Sequence, residues 1–251
     1  MGKEKRVLSK GEKNVIKIMT IVSVFALITF ACLLYVNDYY RATDVAQKMM
    51  IENDANVLVT DAGGHYLLDN PDEDATKGII FYQGAKVDEV AYAPLLVGFA
   101  ERGYEVYLVK MPAKLAMFGM NAADGIIEEN AHITEWTMMG HSFGGAMAAS
   151  YCASHDDQID ALVLLAAYST EDLSDKDVRV YSFYGSEDKV LNLENYEKYY
   201  SNLPDDVIEE VIDGGNHANF GYYGEQDGDG EASITREEQQ DCVIDIFMNV
   251  K

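Results

Sequence analysis

Apolar residues follow three different patterns along the chain. Residues 1–17 are largely polar, and the nineteen residues at 18–36 contain no charged side chain. Residues 37–77 are mostly polar again, and within them two short apolar runs flank an Ala-Gly-Gly turn, a pattern typical of a β-hairpin. Over 78–251, short apolar runs alternate with segments whose apolar residues recur every three or four positions. These patterns predict a basic tip, an apolar helix, a stalk with a hairpin, and a folded domain.

The uncharged stretch 18–36 is predicted to form a helix that spans a membrane. At about 1.5 Å per residue it nearly crosses a hydrocarbon core of about 30 Å, and Val15, Ile16 and the stem of Lys17 extend it. The alternatives are a cleaved signal peptide, a lipoprotein signal ending at Cys32, and a buried core helix. No small-x-small site follows the stretch, and a phenylalanine close before Cys32 fits a lipoprotein signal badly. We therefore expect an uncleaved anchor.

The alternation over 78–251 predicts a mainly parallel sheet with helices on both faces. The predicted strands are residues 79–82, 104–109, 136–139, 161–166, 178–184 and 207–212. The predicted helices are residues 92–101, 122–129, 145–154, 194–201 and 237–250. Thr235 and Glu238 have the spacing of a capping box at the start of the last helix. The expected fold class is therefore α/β, preceded by one transmembrane helix.

The distribution of charge along the chain predicts how the apolar helix is oriented in the membrane. The 251 residues are 48% hydrophobic, which is ordinary for a globular protein, but 43 acidic residues face 19 basic ones, for a net charge of −24. This acidity disfavours a nucleic-acid partner. The charge is uneven, because residues 1–17 carry +4 and the remaining 234 carry −28. Basic residues before the apolar stretch predict a cytoplasmic N-terminus and an extracytoplasmic domain at the cell membrane.

The sequence Gly-His-Ser-Phe-Gly at 140–144 stands between a predicted strand and a helix of small residues. In this context the G-x-S-x-G pattern places Ser142 on a sharp turn, with its hydroxyl exposed at the edge of the sheet. A serine nucleophile needs a base, and the base needs a group that orients it. Asp188 and His217 each follow a later predicted strand, so all three residues lie beyond carboxyl ends of strands, where ligands bind in open α/β sheets.

Four pieces of the sequence resemble the α/β-hydrolase fold, and in particular its compact bacterial esterase-like branch. They are FYQGAKVDEVAYAPLL at 81–96, GHSFGG at 140–145, FYGSED at 183–188 and GGNHANFGYYG at 214–224. The resemblance covers about two-thirds of the chain. It implies a serine hydrolase in which Ser142 attacks, His217 is the base and Asp188 orients it. We expect the oxyanion hole to consist of the backbone N–H of Phe143 and one N–H from the loop Gln83-Gly84-Ala85, that of Ala85, although this loop departs from the His-Gly-rich version seen in many lipases.

Several alternatives remain open at the level of residues. Glu187 is the alternative to Asp188 as the orienting acid. We expect His65, His132 and His155 to face solvent, and His141 to point away from the turn that carries the serine.

Metal ions and organic cofactors are not expected. The acidic run 225–231 has the composition of a calcium loop, but counting from Glu225 places Arg236 where a bidentate glutamate is required, so we expect a solvated loop. Three cysteines, Cys32, Cys152 and Cys242, contain no C-x-x-C pair and are too few for a disulfide framework.

The interval between the predicted strands 161–166 and 178–184 is too short for a helical lid. We therefore expect an open site that takes small-molecule or surface-presented acyl substrates. The expected function is a membrane-anchored carboxylesterase that acts through an acyl-enzyme. The alternatives are an acyltransferase or a peptidase with the same three residues, and a catalytically silent binding module tethered to the membrane. The oligomeric state is not predicted.

Overall fold

A computed structural model describes residues 8–51 and 56–249. The chain divides into two compact units, of which the first ends at Asp38 and the second begins at Tyr39. The first seven residues of the predicted basic tip, and residues 52–55 of the predicted stalk, lie outside the described part.

The first unit contains one long helix, α1 (Lys10–Asn37), which begins at a capping box formed by Ser9 and Glu12. Its 28 residues extend over about 42 Å. None of its residues is buried, and its best 18-residue window has a mean hydropathy of 2.4. A core helix would be buried, so this alternative does not describe α1. Within the described residues, α1 is the one helix long and apolar enough to cross a membrane.

The second unit is built on one eight-stranded sheet in the order β1-β2-β4-β3-β5-β6-β7-β8. The strands are Leu58–Asp61, His65–Asp69, Lys77–Tyr82, Tyr104–Val109, Glu135–His141, Ala161–Leu165, Arg179–Gly185 and Ile208–Ile212, numbered β1 to β8. Strand β2 runs antiparallel to β1 and β4, whereas β3 to β8 run parallel to one another. The predicted parallel sheet is confirmed.

Helices cover both faces of the sheet and create two hydrophobic cores. They are α2 (Asp44–Met49), α3 (Ala93–Ala100), α4 (Ala122–Glu129), α5 (Phe143–Ser154), α6 (Leu193–Tyr199) and α7 (Arg236–Asn249). One core contains residues of α3 and α7, where the rings of Phe99 and Phe247 meet edge to face at 5.4 Å. The other contains residues of α4 and α5, including Ile126 and Tyr151. The predicted capping box of α7 is present, because Thr235 and Glu238 bond each other's backbone N–H groups.

The segment before residue 78 belongs to the folded unit more closely than the sequence predicted. Its hairpin joins the sheet through β2, which pairs with β4 from His65 to Leu68. Tyr40 forms a parallel bridge with Val87, and its N–H donates to the carbonyl of Lys86 at 2.8 Å. The compact unit therefore begins at Tyr39, not at Gly78 where we placed the domain boundary. The cause is pairing between distant segments, in which β2 covers the edge that β4 would otherwise expose.

Candidate active site

Ser142 occupies a strained turn between β5 and α5. Its backbone angles are φ 52° and ψ −125°, a region that non-glycine residues rarely adopt, and its N–H donates to the carbonyl of Leu165 at 2.8 Å. The turn fits because Gly144 has no Cβ, which would lie 2.2 Å from the carbonyl oxygen of Gln83. Close packing therefore holds the serine at the carboxyl edge of the sheet.

Asp188 and His217 form a buried pair. Asp188 lies in the turn after β7, and His217 follows β8 just before the 3₁₀ turn Ala218–Phe220. Oδ2 of Asp188 is 2.8 Å from Nδ1 of His217, and the two residues are 3% and 1% exposed. The other oxygen, Oδ1, accepts the N–H groups of Val190 and Leu191, both at 2.8 Å. The residue that contacts the histidine is thus Asp188, and not its neighbour Glu187.

Ser142 and His217 line the same cavity, whose volume is about 370 Å³. Asp188 lies behind the imidazole, away from this cavity. The remaining lining residues are mainly small or apolar: Phe143, Ala146, Met147, Ala166, Ala167, Tyr168, Thr170, Val190, Leu191 and Asn192. The structure therefore places a hydroxyl and an imidazole at one cavity, with a carboxylate behind the imidazole. This set can deliver a nucleophile and move its proton.

The loop after β3, residues 83–88, is held from several sides. The N–H of Gly84 donates to the hydroxyl of Tyr92 at 3.1 Å, and the side chain of Gln83 donates to the carbonyl of Val87 at 2.8 Å. Ala85 is half-buried and is not among the residues that line the cavity with Ser142. Phe143 lies at the first position of α5, where a backbone N–H has no partner within its own helix.

His141 packs against the candidate base, contrary to the prediction from the sequence. It does not point away from the turn but is 1% exposed, and its ring centroid lies 4.5 Å from that of His217. Its Nδ1 is 2.8 Å from the hydroxyl of Tyr92. The same hydroxyl accepts the N–H of Gly84 at 3.1 Å, so Tyr92 links His141 to the loop after β3. Every residue of β5 from 136 to 141 is buried, so the position of His141 at the end of this strand was the available signal.

Burial keeps the side chains of His141 and Tyr92 uncharged. It lowers the pKa of His141 well below the ordinary value for histidine, and the charge of a protonated His217 lowers it further. Burial also raises the pKa of the Tyr92 hydroxyl. Both groups are therefore neutral through the physiological pH range, so the hydrogen bonds that join Gly84, Tyr92 and His141 persist across it.

The remaining histidines lie away from the cavity. His132 is exposed beside Glu105, His155 stacks on Tyr151 at 4.1 Å, and His65 is half-buried with its ring 5.4 Å from that of Tyr107. The predicted solvent exposure therefore holds fully for His132 and in part for the other two.

The acidic loop and the cysteines form no metal site in the described residues. Glu225, Asp227 and Glu231 are exposed, and the described part of the chain contains no group of three or more His, Cys, Asp or Glu that could hold a metal ion. Cys152 is buried on α5, and this burial raises the pKa of its thiol. Cys242 is half-buried on α7.

The cavity is not covered by a helix from the segment between β6 and β7. Residues 166–178 contain no helix, as the short interval predicted, and Tyr168 and Thr170 from this segment contribute to the cavity wall. The cavity is therefore open to solvent on the side where a lid would lie.

The fold and the motifs are those of a known family. Residues 78–241 match the profile of the Alpha/beta hydrolase family. The chain therefore belongs to the alpha/beta hydrolase family, which confirms the resemblance seen in its motifs. No curated protein matches the sequence.

Solved structures share the fold at low sequence identity. Est1E from Butyrivibrio proteoclasticus is 14% identical with a TM-score of 0.56, over 77% of this chain and 98% of Est1E. A CIB-like hydrolase from Thermoplasma acidophilum is 15% identical with a TM-score of 0.57, over 77% of this chain and 98% of its own. MGS-MChE2, an alpha/beta hydrolase enzyme from a lagoon-sediment metagenome, is 15% identical with a TM-score of 0.58, over 76% and 98%. This likeness shows a common fold, and the substrate of this chain does not follow from it.

Proposed function

We propose that the protein is a membrane-anchored serine hydrolase that cleaves carboxylic esters through an acyl-enzyme. The observation that carries the proposal is the buried contact of Asp188 with His217, whose imidazole lines the same cavity as Ser142. A carboxylate on Nδ1 fixes the ring proton there and leaves Nε2 free to accept a proton. The strained turn at Ser142 presents the hydroxyl from which that proton comes.

The reaction proceeds in two balanced halves. Oγ of Ser142 forms a bond to the acyl carbon while its proton passes to Nε2 of His217. The resulting tetrahedral oxyanion collapses, the bond to the alcohol oxygen breaks, and His217 protonates the departing alcohol. Water then attacks the acyl-enzyme, gives its proton to His217, and releases the acid as Ser142 recovers the proton. Asp188 holds the ring and stabilises its positive charge in both halves.

Two backbone N–H groups are proposed to stabilise the oxyanion. Phe143 follows the nucleophile, lines the cavity and begins α5, so its N–H lies at the positive end of that helix. The proposed second donor is Ala85, which does not line the cavity but belongs to the loop whose Gln83 carbonyl lies against Gly144; the N–H of the preceding Gly84 already donates to Tyr92. Donors of this kind are worth about 3–4 kcal/mol in a transition state.

The membrane anchor is proposed on length, composition and charge. Helix α1 is fully unburied and long enough to cross a bilayer. The basic residues before the uncharged stretch 18–36 favour a cytoplasmic N-terminus, which places the acidic hydrolase unit outside the cytoplasm. There its negative charge aids solubility beside an anionic membrane surface.

One labelling experiment tests both the serine mechanism and the orientation. A membrane-impermeant fluorophosphonate probe is added to intact cells that express the full chain. We expect it to label the wild-type protein and not the Ser142→Ala variant, because the probe phosphonylates an activated serine. Ser150→Ala, on the same helix, is the matched control and should label like the wild type.

Each negative result has its own meaning. Labelling that occurs only after the cells are permeabilised would contradict the proposed orientation. A folded protein that labels under neither condition would contradict the serine mechanism and favour the silent binding module.

The cavity further predicts how kcat/KM depends on the length of the acyl chain. About 370 Å³ is near the lower limit for small-molecule sites, and the described residues that line it include no acid, lysine or arginine. Because no helix of residues 166–178 covers the opening, carbons beyond the apolar wall remain in water and gain no binding energy. We expect kcat/KM to rise with acyl length up to about six carbons and to gain nothing further between about six and twelve.

A series of p-nitrophenyl esters measures this dependence. The panel includes matched thioesters and amides, and also a ferulate ester, because Est1E has been solved with ferulic acid bound. Met147→Ala, which removes part of the cavity wall, should shift the end of the rise to longer chains. The control is Met117→Ala, an exposed methionine outside the cavity. An unchanged dependence on chain length in Met147→Ala, or a wild-type kcat/KM that still rises between six and twelve carbons, would contradict the assignment of this cavity as the acyl site.

A further inference from the structure

The acidic loop 225–231 contains one residue that differs from its neighbours. Glu225, Asp227 and Glu231 are exposed, whereas Asp229 is half-buried and turns its carboxylate towards backbone N–H groups. We therefore asked what Asp229 holds in place, because the loop follows His217 and precedes α7.

Asp229 contacts the two loops that carry the candidate acid and base. Oδ2 accepts the N–H of Ala218, the residue after His217, at 2.9 Å. Oδ1 accepts the N–H of Lys189, the residue after Asp188, at 3.2 Å. The carboxylate of Asp229 thus joins Ala218, the neighbour of His217, to Lys189, the neighbour of Asp188. Hydrogen bonds to an ionised group are stronger than those between neutral groups, so this bridge is stronger than an ordinary loop contact.

The rest of the loop is packed tightly against the same two turns. A Cβ on Gly230 would lie 1.8 Å from the carbonyl oxygen of Glu187, so only glycine permits this approach. The side chain of Asn216 donates to the carbonyl of Gly230 at 2.7 Å. Asp229 also accepts the N–H of Gly230 at 2.8 Å, which fixes its own orientation. The bridge therefore rests on a rigid backbone.

We propose that Asp229 is a positioning residue that holds the turn of Asp188 and the turn of His217 at their working separation. The proposal rests on the proposed serine mechanism. Asp229 does not line the cavity with Ser142, so it touches neither the substrate nor the reacting atoms. It acts through the Asp188–His217 contact, whose 2.8 Å separation depends on two loops from different strands remaining in register.

The kinetic test uses a graded pair of variants in the full chain. Asp229→Asn has nearly the same shape but retains only one acceptor atom, so one loop loses its contact; Asp229→Ala releases both. We expect kcat to fall about ten-fold in the first and about a hundred-fold in the second, because small misplacement of catalytic groups has effects of this size. KM should change less than about two-fold, since the cavity wall is intact. Asp227→Ala, an exposed aspartate of the same loop, is the control and should keep wild-type kcat and KM.

A second measurement does not depend on activity. Hydrogen exchange of the amides of Lys189 and Ala218 should accelerate in Asp229→Ala and stay at the wild-type rate in Asp227→Ala. If the wild type hydrolyses no ester, the proposed function fails, while the exchange rates still decide whether Asp229 joins the two loops. Rates are normalised to the sites titrated by fluorophosphonate. Wild-type kcat per site, or wild-type exchange at both amides in folded Asp229→Ala, would overturn the proposal.

Discussion

An Asp188→Asn variant is expected to lose about four orders of magnitude in kcat while it retains its fold. The hydrogen bonds of the carboxylate explain why. Oδ1 accepts the N–H groups of Val190 and Leu191, so the oxygen of an asparagine amide must take that position. Its NH₂ group then faces Nδ1 of His217, where Oδ2 lies in the native protein.

This amide orientation reverses the tautomer of the base. An NH₂ group donates, so Nδ1 must become an acceptor and the ring proton must move to Nε2. Nε2 then cannot accept the proton of Ser142, although every heavy atom remains close to its native position. The loss should therefore appear in kcat, with little change in KM or in the circular dichroism spectrum.

Glu187→Gln is the matched control for this prediction. The two residues are adjacent and both changes remove one negative charge, but only Asp188 contacts His217. We expect Glu187→Gln to keep kcat within about two-fold of the wild type. If Glu187→Gln lost activity and Asp188→Asn kept it, Glu187 would be the orienting acid and the assignment from the structure would be wrong.

A Gly144→Ala variant is expected to be destabilised by about 3 kcal/mol or to fail to fold. The added Cβ would lie 2.2 Å from the carbonyl oxygen of Gln83 and 2.3 Å from that of Tyr82. Both atoms are backbone at the end of β3, so they cannot rotate away as a side chain would. Relief requires α5 to separate from β3, which would also displace Ser142 from the loop that carries Ala85.

Gly125→Ala provides an internal reference for the same substitution in a helix. Gly125 lies in α4, and a Cβ there would meet nothing within 4 Å. Alanine should therefore stabilise that helix by about 0.5–1 kcal/mol, because glycine loses more backbone entropy on folding. Thermal unfolding of both variants in the same detergent measures the contrast. Equal unfolding temperatures for Gly144→Ala and the wild type would contradict the close approach at this turn.

Much of the fold could be predicted because its signals are local. The strands of the parallel sheet are short apolar runs, and the helices between them carry periodic apolar residues, so neighbouring residues alone reveal both. Ser142, Asp188 and His217 could be selected together because each follows the end of a strand. In a parallel sheet those ends meet at one edge, so positions far apart in sequence are placed at one site.

The features that could not be predicted depend on contacts between distant backbones. The pairing of β2 with β4 and the bridge from Tyr40 to Val87 leave no periodic signal in either segment. The contacts of Asp229 are harder still to infer, because its partners are N–H groups that almost every residue possesses. A side chain that binds backbone places no requirement on the identity of its partner. For this reason the loop 225–231 looked like an ordinary solvated segment.

The bridge from Tyr40 to Val87 determines where the hydrolase unit can be separated from α1. The N–H of Tyr40 donates to the carbonyl of Lys86, and the carbonyl of Tyr40 accepts the N–H of Asp88, each at 2.8 Å. Lys86 is the residue that follows Ala85. A protease that cuts between α1 and Tyr39 therefore sheds the hydrolase unit with these contacts intact. A cut after Tyr40 leaves this strand-like segment attached to α1 and removes the hydrogen bonds that it makes to the loop that follows β3. The boundary of the family match at residue 78 is thus not a boundary at which the enzyme can be divided.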